Sequence, residues 1–150
     1  MPQPQVEAVA GRGARQFEQT LERLVSYLRY PAISCQAENA EDVAALGERI
    51  RQDLEELGMD NARVLTLEDA LPLVSAEWLR AGEDKPTVLI YGHMDLQPVN
   101  EPEWRTDPHV ATRVGDRLYA RGAADDMGGW VSHLAAIQAW LEETGELPCN

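Results

Sequence analysis

The chain is 150 residues long, 44% apolar, and carries 26 acidic against 13 basic residues, a formal net charge of −13. That length and apolar fraction give one domain with its own core and exclude a disordered chain. The acidic balance disfavours nucleic acid, whose binding rests on Lys and Arg neutralising phosphates. No apolar run reaches the roughly 20 residues of a membrane helix.

Met1–Gly13 holds two prolines and two glycines without periodicity and reads as a mobile tail. From about Ala14 the spacing predicts a helix, with Phe17, Leu21, Leu24, Val25 and Leu28 on one stripe. Pro31 ends it, because the residue before a proline is pushed out of the helical region. A second helix is predicted over Glu41–Leu57, with Val43, Leu46, Ile50, Leu54 and Leu57 as its apolar face and Gly58 as its left-handed cap. Three strands follow, Ala62–Thr66, Leu73–Leu79 and Thr87–Tyr91. The last, T-V-L-I-Y, is an unbroken apolar run of the kind buried on both faces. Val110–Arg113 and Arg117–Tyr119 read as a hairpin around Gly115–Asp116. A loop over Ala120–Gly128 then leads into a third helix, Gly129–Thr144, striped by Trp130, Leu134, Ile137 and Leu141. Cys35 and Cys149 lie far apart without C-x-x-C spacing and read as two free, buried thiols. With no apolar signal segment near the N-terminus, the predicted compartment is the cytoplasm.

Two groups of metal-seeking side chains flank residues 91–129. His93 and Asp95 follow the third strand at i, i+2, a spacing that shares one face in extended chain. Either both bind a metal, or His93 binds while Asp95 holds its ring, as ligating histidines are usually held. Asp125–Asp126 precede the third helix. They read either as helix capping or as a carboxylate bridging two cations about 3.5–4 Å apart. Gly122, Gly128 and Gly129 allow backbone to approach closely there. Imidazole with carboxylates suits Zn²⁺, with Mn²⁺ or Co²⁺ as substitutes. His109 and His133 read as structural or surface residues, and Trp104 and Trp130 as packing. No nucleophile elbow, phosphate-binding loop or dinucleotide fingerprint is present.

Pro86–Pro98 (P-T-V-L-I-Y-G-H-M-D-L-Q-P), Trp104–Pro108 (W-R-T-D-P) and Leu118–Gly129 (L-Y-A-R-G-A-A-D-D-M-G-G) together resemble the co-catalytic zinc peptidases of family M-twenty. That family includes carnosinase-type dipeptidases, acetylornithine deacetylase and succinyl-diaminopimelate desuccinylase. The likeness runs from roughly Phe17 to Asn150, and W-x-x-D-P with the Q-P after His-x-Asp is most similar to the dipeptidase branch.

The resemblance implies an α/β fold, a three-layer zinc-peptidase-like sandwich with a mixed central sheet, truncated after the third helix. Residues 14–150 would be the N-terminal part of the catalytic domain, without the dimerisation or lid domain. It implies that His93 binds one zinc, that Asp125 bridges two, and that Asp95 supports the histidine and the catalytic base. The Asp125–Asp126 peptide is expected to be cis. The activity implied is hydrolysis of dipeptides or short peptides by a metal-bridged water, in a full-length protein that forms a homodimer. Deacylation of N-acyl amino acids and a non-catalytic truncated chain are the alternatives. The general base and further ligands are expected outside these residues, so the 150-residue chain is expected to be inactive alone. Met127, His109 and Ala120 stand where the family usually has Lys, Phe and Gly, and none of them replaces a ligand.

Overall fold

The computed structural model describes residues 3–68 and 70–150. It is a mixed α/β arrangement of four helices and two antiparallel strand pairs among those residues. Helix α1 spans Gln3–Arg15 and is followed after a single residue by α2, Phe17–Tyr27. A regular helix therefore stands where the sequence predicts a tail; Met1 and Pro2 lie outside the described residues. Pro4 falls in the first turn, where its missing N–H costs nothing. The remaining deficit in propensity is overridden by packing on the last helix, α4 (Met127–Thr144). Val9 is buried, and Arg12 pairs with Glu143 at 2.6 Å and Glu142 at 3.3 Å.

Helix α3 runs Ala40–Glu56 and buries Val43, Leu46 and Ile50, with Gly58 at φ +84° as its cap. It lies on the hairpin of β1 (Asp60–Leu65) and β2 (Leu73–Glu77), paired with Val64 opposite Val74 and Leu65 opposite Leu73. β3 (Thr112–Val114) and β4 (Arg117–Tyr119) form the second, short hairpin over Gly115 at φ +62°. The core joins α2, α3 and α4 through Tyr27, Leu28, Val43, Leu46, Ile50, Met127 and Val131, with Ala32, Ile33 and Leu96 from the loops. In α4 the fully covered positions are Met127, Val131, Leu134, Gln138 and Ala139, one step round from the predicted stripe, because α1 and α2 both pack on this helix. Phe17 is 56% exposed and leaves the predicted stripe of α2.

Residues 87–91 depart most from expectation. They form no named strand, and Leu89 and Tyr91 are 90% and 82% exposed. Their described backbone partner is Asn150. Its N–H donates to the Pro86 carbonyl at 3.0 Å, and its carbonyl accepts from the Val88 N–H at 2.7 Å. One residue bonded to two positions on the same neighbour, two apart, is the parallel-strand pattern. The run has the composition of a buried strand, but this single bridge does not cover it.

Candidate functional site

Sequence-distant segments meet just beyond residue 91. Ile33 bridges Leu96 in parallel, and the Leu96 N–H donates to the Ala32 carbonyl at 2.9 Å. This ties the loop after α2 to the His93–Leu96 segment. From the other side comes the entrance of α4. Gly128 has no room for a side chain there, since a Cβ would lie 2.1 Å from the Ala123 carbonyl oxygen. The Asp125–Asp126 peptide is cis, as the resemblance implies.

His93 is the centre of the cluster. Its Nδ1 lies 3.1 Å from the Asp95 carbonyl oxygen and 3.3 Å from Asp95 Oδ1. Its Nε2 lies 3.1 Å from Asp125 Oδ1. Both nitrogens face oxygens that only accept; Nδ1 has two of them, from Asp95, and Nε2 has one, from the exposed Asp125, so the neutral ring is assigned its proton on Nδ1. The Nε2 lone pair then faces a carboxylate oxygen. Two electron-rich atoms that close together require a cation, either a proton or a metal. Burial on its own would lower the proton affinity of His93. The Asp95 carbonyl and the Asp125 and Asp95 carboxylates outweigh it, and His93 titrates above the ordinary histidine value.

Asp125 is the open side of the cluster, with its side chain 82% exposed. Asp95 is held from behind, where the Ser34 hydroxyl donates to Oδ2 at 2.5 Å. Ser34 is the contact that the sequence did not reveal. It lies 61 residues from Asp95 in a segment without a motif, and only the Ile33–Leu96 bridge brings it near.

Asp126 resolves one open reading. It occupies the position before α4 yet makes no side-chain capping hydrogen bond. Its Oδ2 accepts the backbone N–H of His93 at 3.2 Å instead. Trp130 in the next turn donates its indole N–H to the His93 carbonyl at 3.1 Å. Gly92 makes room for that indole, since a Cβ there would sit 2.7 Å from Trp130 Cδ1.

The other histidines stay outside this cluster. His133 is exposed on α4, and half-buried His109 has a shielded Nδ1 without a partner. Trp104 lies under the Arg121 guanidinium, 5.6 Å from its ring centre. Met127 is fully buried in the core. Among the described residues no third His, Cys, Asp or Glu side chain completes a metal shell with His93 and Asp125. The pair offers one imidazole nitrogen and a carboxylate, the donor chemistry zinc takes, but fewer than the three protein ligands usual for catalytic zinc.

Residues 89–150 match the family described as Peptidase family M20/M25/M40. The chain is 39% identical to the Beta-Ala-His dipeptidase of Mus musculus over 53% of its own length and 16% of that relative. It is 33% identical to the Cysteinylglycine-S-conjugate dipeptidase of Corynebacterium striatum, over 85% of the chain and 27% of the relative. The solved structure of human carnosine dipeptidase 1 superposes with a TM-score of 0.82 at 25% identity, covering 99% of this chain and 33% of that one. The chain thus spans between a sixth and a third of the proteins it matches here. Residues 89–150 thus carry the likeness to Peptidase family M20/M25/M40, a family of metal-dependent peptidases, and the longer matches extend it over most of the chain.

Proposed function

We propose that this chain supplies one edge of a zinc site in a hydrolase of dipeptides or short peptides. The observation that carries the reading is the 3.1 Å separation of His93 Nε2 and Asp125 Oδ1, with Nδ1 turned away to Asp95. Two ligand atoms at zinc bond lengths near 2.0–2.1 Å and a tetrahedral angle stand about 3.3 Å apart. In this reading His93 Nε2 is a terminal ligand, and Asp125 is the carboxylate that reaches two cations. Asp95 keeps the His93 proton on Nδ1 and Ser34 fixes the Asp95 carboxylate, the outer support that ligating histidines usually have. When bound, zinc (or Mn²⁺ or Co²⁺) supplies Lewis-acid polarisation of the scissile carbonyl and an acidified water.

The dipeptide substrate rests on the names of the two relatives, both dipeptidases. The proton acceptor that the resemblance implies is not among these residues, so the 150-residue chain alone is expected to be inactive. A homodimer and a cytoplasmic setting complete the proposal. The compartment fits two cysteines that remain unbridged, Cys35 exposed and Cys149 half-buried where the sequence predicts buried thiols.

The test is a panel of dipeptides and N-acyl amino acids, given to the protein purified from its source with Zn²⁺, Mn²⁺ or Co²⁺. Loss of dipeptide hydrolysis of at least about a thousandfold in both His93→Ala and Asp125→Ala is expected. Activity on N-acyl amino acids alone would move the substrate class to deacylation. Full activity in either variant would refute the site.

A further inference from the structure

We propose that Trp130 is a positioning residue that fixes the imidazole of His93, an inference that rests on the metal-ligand role of His93 proposed above. Both peptide units flanking the His93 Cα are held from the start of α4. The N–H side goes to Asp126 Oδ2 at 3.2 Å, and the C=O side receives the Trp130 indole N–H at 3.1 Å. With both planes fixed, the direction of the Cα–Cβ bond is fixed, and the ring reaches Asp95 with one nitrogen and Asp125 with the other.

The indole is itself locked. It stacks on Tyr27 with ring centres 5.4 Å apart and planes 27° from parallel. The ring also lies close against the bare backbone of Gly92. Tyr27 is fully buried and anchored through its hydroxyl to Asp53 on α3. The rigid core is thereby connected to the histidine backbone through a single donor. A tryptophan that only fills space can use any acceptor for its N–H. Here the acceptor is the carbonyl of the ligand-type histidine, which a Leu or Phe on the same stripe would leave bare.

The experiment compares wild type with Trp130→Phe, which keeps a ring against Tyr27 and removes the donor. A second variant places β-(3-benzothienyl)alanine at position 130, which keeps the bicyclic shape without the N–H. The first readout is the pair of His93 ring ¹⁵N shifts in metal-free protein at a pH where the ring is neutral. The second is Zn²⁺ affinity by competition with a chromophoric chelator. Wild type is expected to show a dominant Nδ1–H tautomer. Both variants are expected to shift toward a tautomer mixture and to bind Zn²⁺ about tenfold more weakly, the lower end for loss of outer-shell support. Unchanged tautomer and affinity in the benzothienyl variant would overturn the proposal. If wild type binds no Zn²⁺, the metal reading fails, and the ring shifts still decide whether Trp130 positions His93.

Discussion

Replacing Tyr27 by Phe tests the core from which the site is hung. Tyr27 is fully buried, and its hydroxyl donates to Asp53 Oδ2, while Arg49 holds Asp53 Oδ1 at 2.9 Å. Tyr27→Phe leaves a buried carboxylate oxygen without its donor, at a cost of about 2 kcal/mol at pH 7. For a chain of this size that lowers the melting temperature by about 4–8 °C. The pH dependence makes the test sharper. Burial first, then the bond to Asp53, push the Tyr27 hydroxyl far above the ordinary tyrosine value of about 10. Above that pH the unfolded chain releases this proton and the folded chain keeps it. Unfolding then becomes easier by about 1.4 kcal/mol per pH unit from this group, a contribution fully present below pH ~10 and lost above it. The Phe variant has no such proton. Its deficit of about 2 kcal/mol is therefore expected to vanish near pH 11.5, since the remaining tyrosines cancel in the difference. Urea unfolding of both proteins between pH 7 and 11.5 measures this. A deficit that stays constant over that range would refute the buried Tyr27–Asp53 arrangement.

Three further perturbations probe the site and its surroundings. Gly92→Ala forces a Cβ to within 2.7 Å of the Trp130 ring. It should cost about 1–3 kcal/mol in chemical unfolding, the usual range for overpacking, with loss of the Tyr27–Trp130 contact seen as a changed near-ultraviolet dichroism; an unchanged spectrum and midpoint would count against the packing. Asp126→Ala should speed hydrogen exchange at the His93 amide by about tenfold or more and leave α4 amides as they were. Faster exchange along α4 instead would restore the capping role. Leu89→Lys, on a run whose side chains are exposed and whose backbone is bridged only to Asn150 among the described residues, an arrangement that invites pairing with another chain, should suppress self-association in analytical centrifugation while changing stability by no more than about 0.5 kcal/mol. Equal association of both proteins would place the contact elsewhere.

The two halves of the candidate site were legible because each is local. His-x-Asp and Asp-Asp declare themselves by spacing, and the structure brings His93 within 3.1 Å of Asp125 although 32 residues separate them. What orients them was not legible. Ser34 has no motif, and its place depends on a parallel bridge between loops. Trp130 was legible as an apolar stripe residue, but one with a donor aimed at His93 looks the same in sequence as one without. Helix α1 was hidden for the opposite reason, since low propensity is a local property and its packing on α4 is not. Residues 87–91 show the limit from another side. Composition records that the run favours burial, whereas burial itself needs neighbouring strands.

Met127 carries this reasoning to a result that can be checked. A Lys is usual at this position in the family the sequence resembles, which would make the substitution a change in charge beside the proposed metal residues. The structure turns the side chain the other way, fully buried in the core and with its sulfur 3.6 Å from where a Cβ on Gly122 would sit. In this chain the position belongs to packing. A lysine there would lose the apolar contacts and carry an ammonium into the core that Met127 shares with Leu28 and Leu96, an unfavourable burial of charge. Met127→Lys is therefore expected to cost more than about 3 kcal/mol in urea unfolding. Once refolded at low denaturant, its Zn²⁺ affinity should stay within about twofold of wild type. Wild-type stability combined with altered Zn²⁺ affinity would show that the lysine leaves the core for the site, and that residue 127 acts on its charge after all.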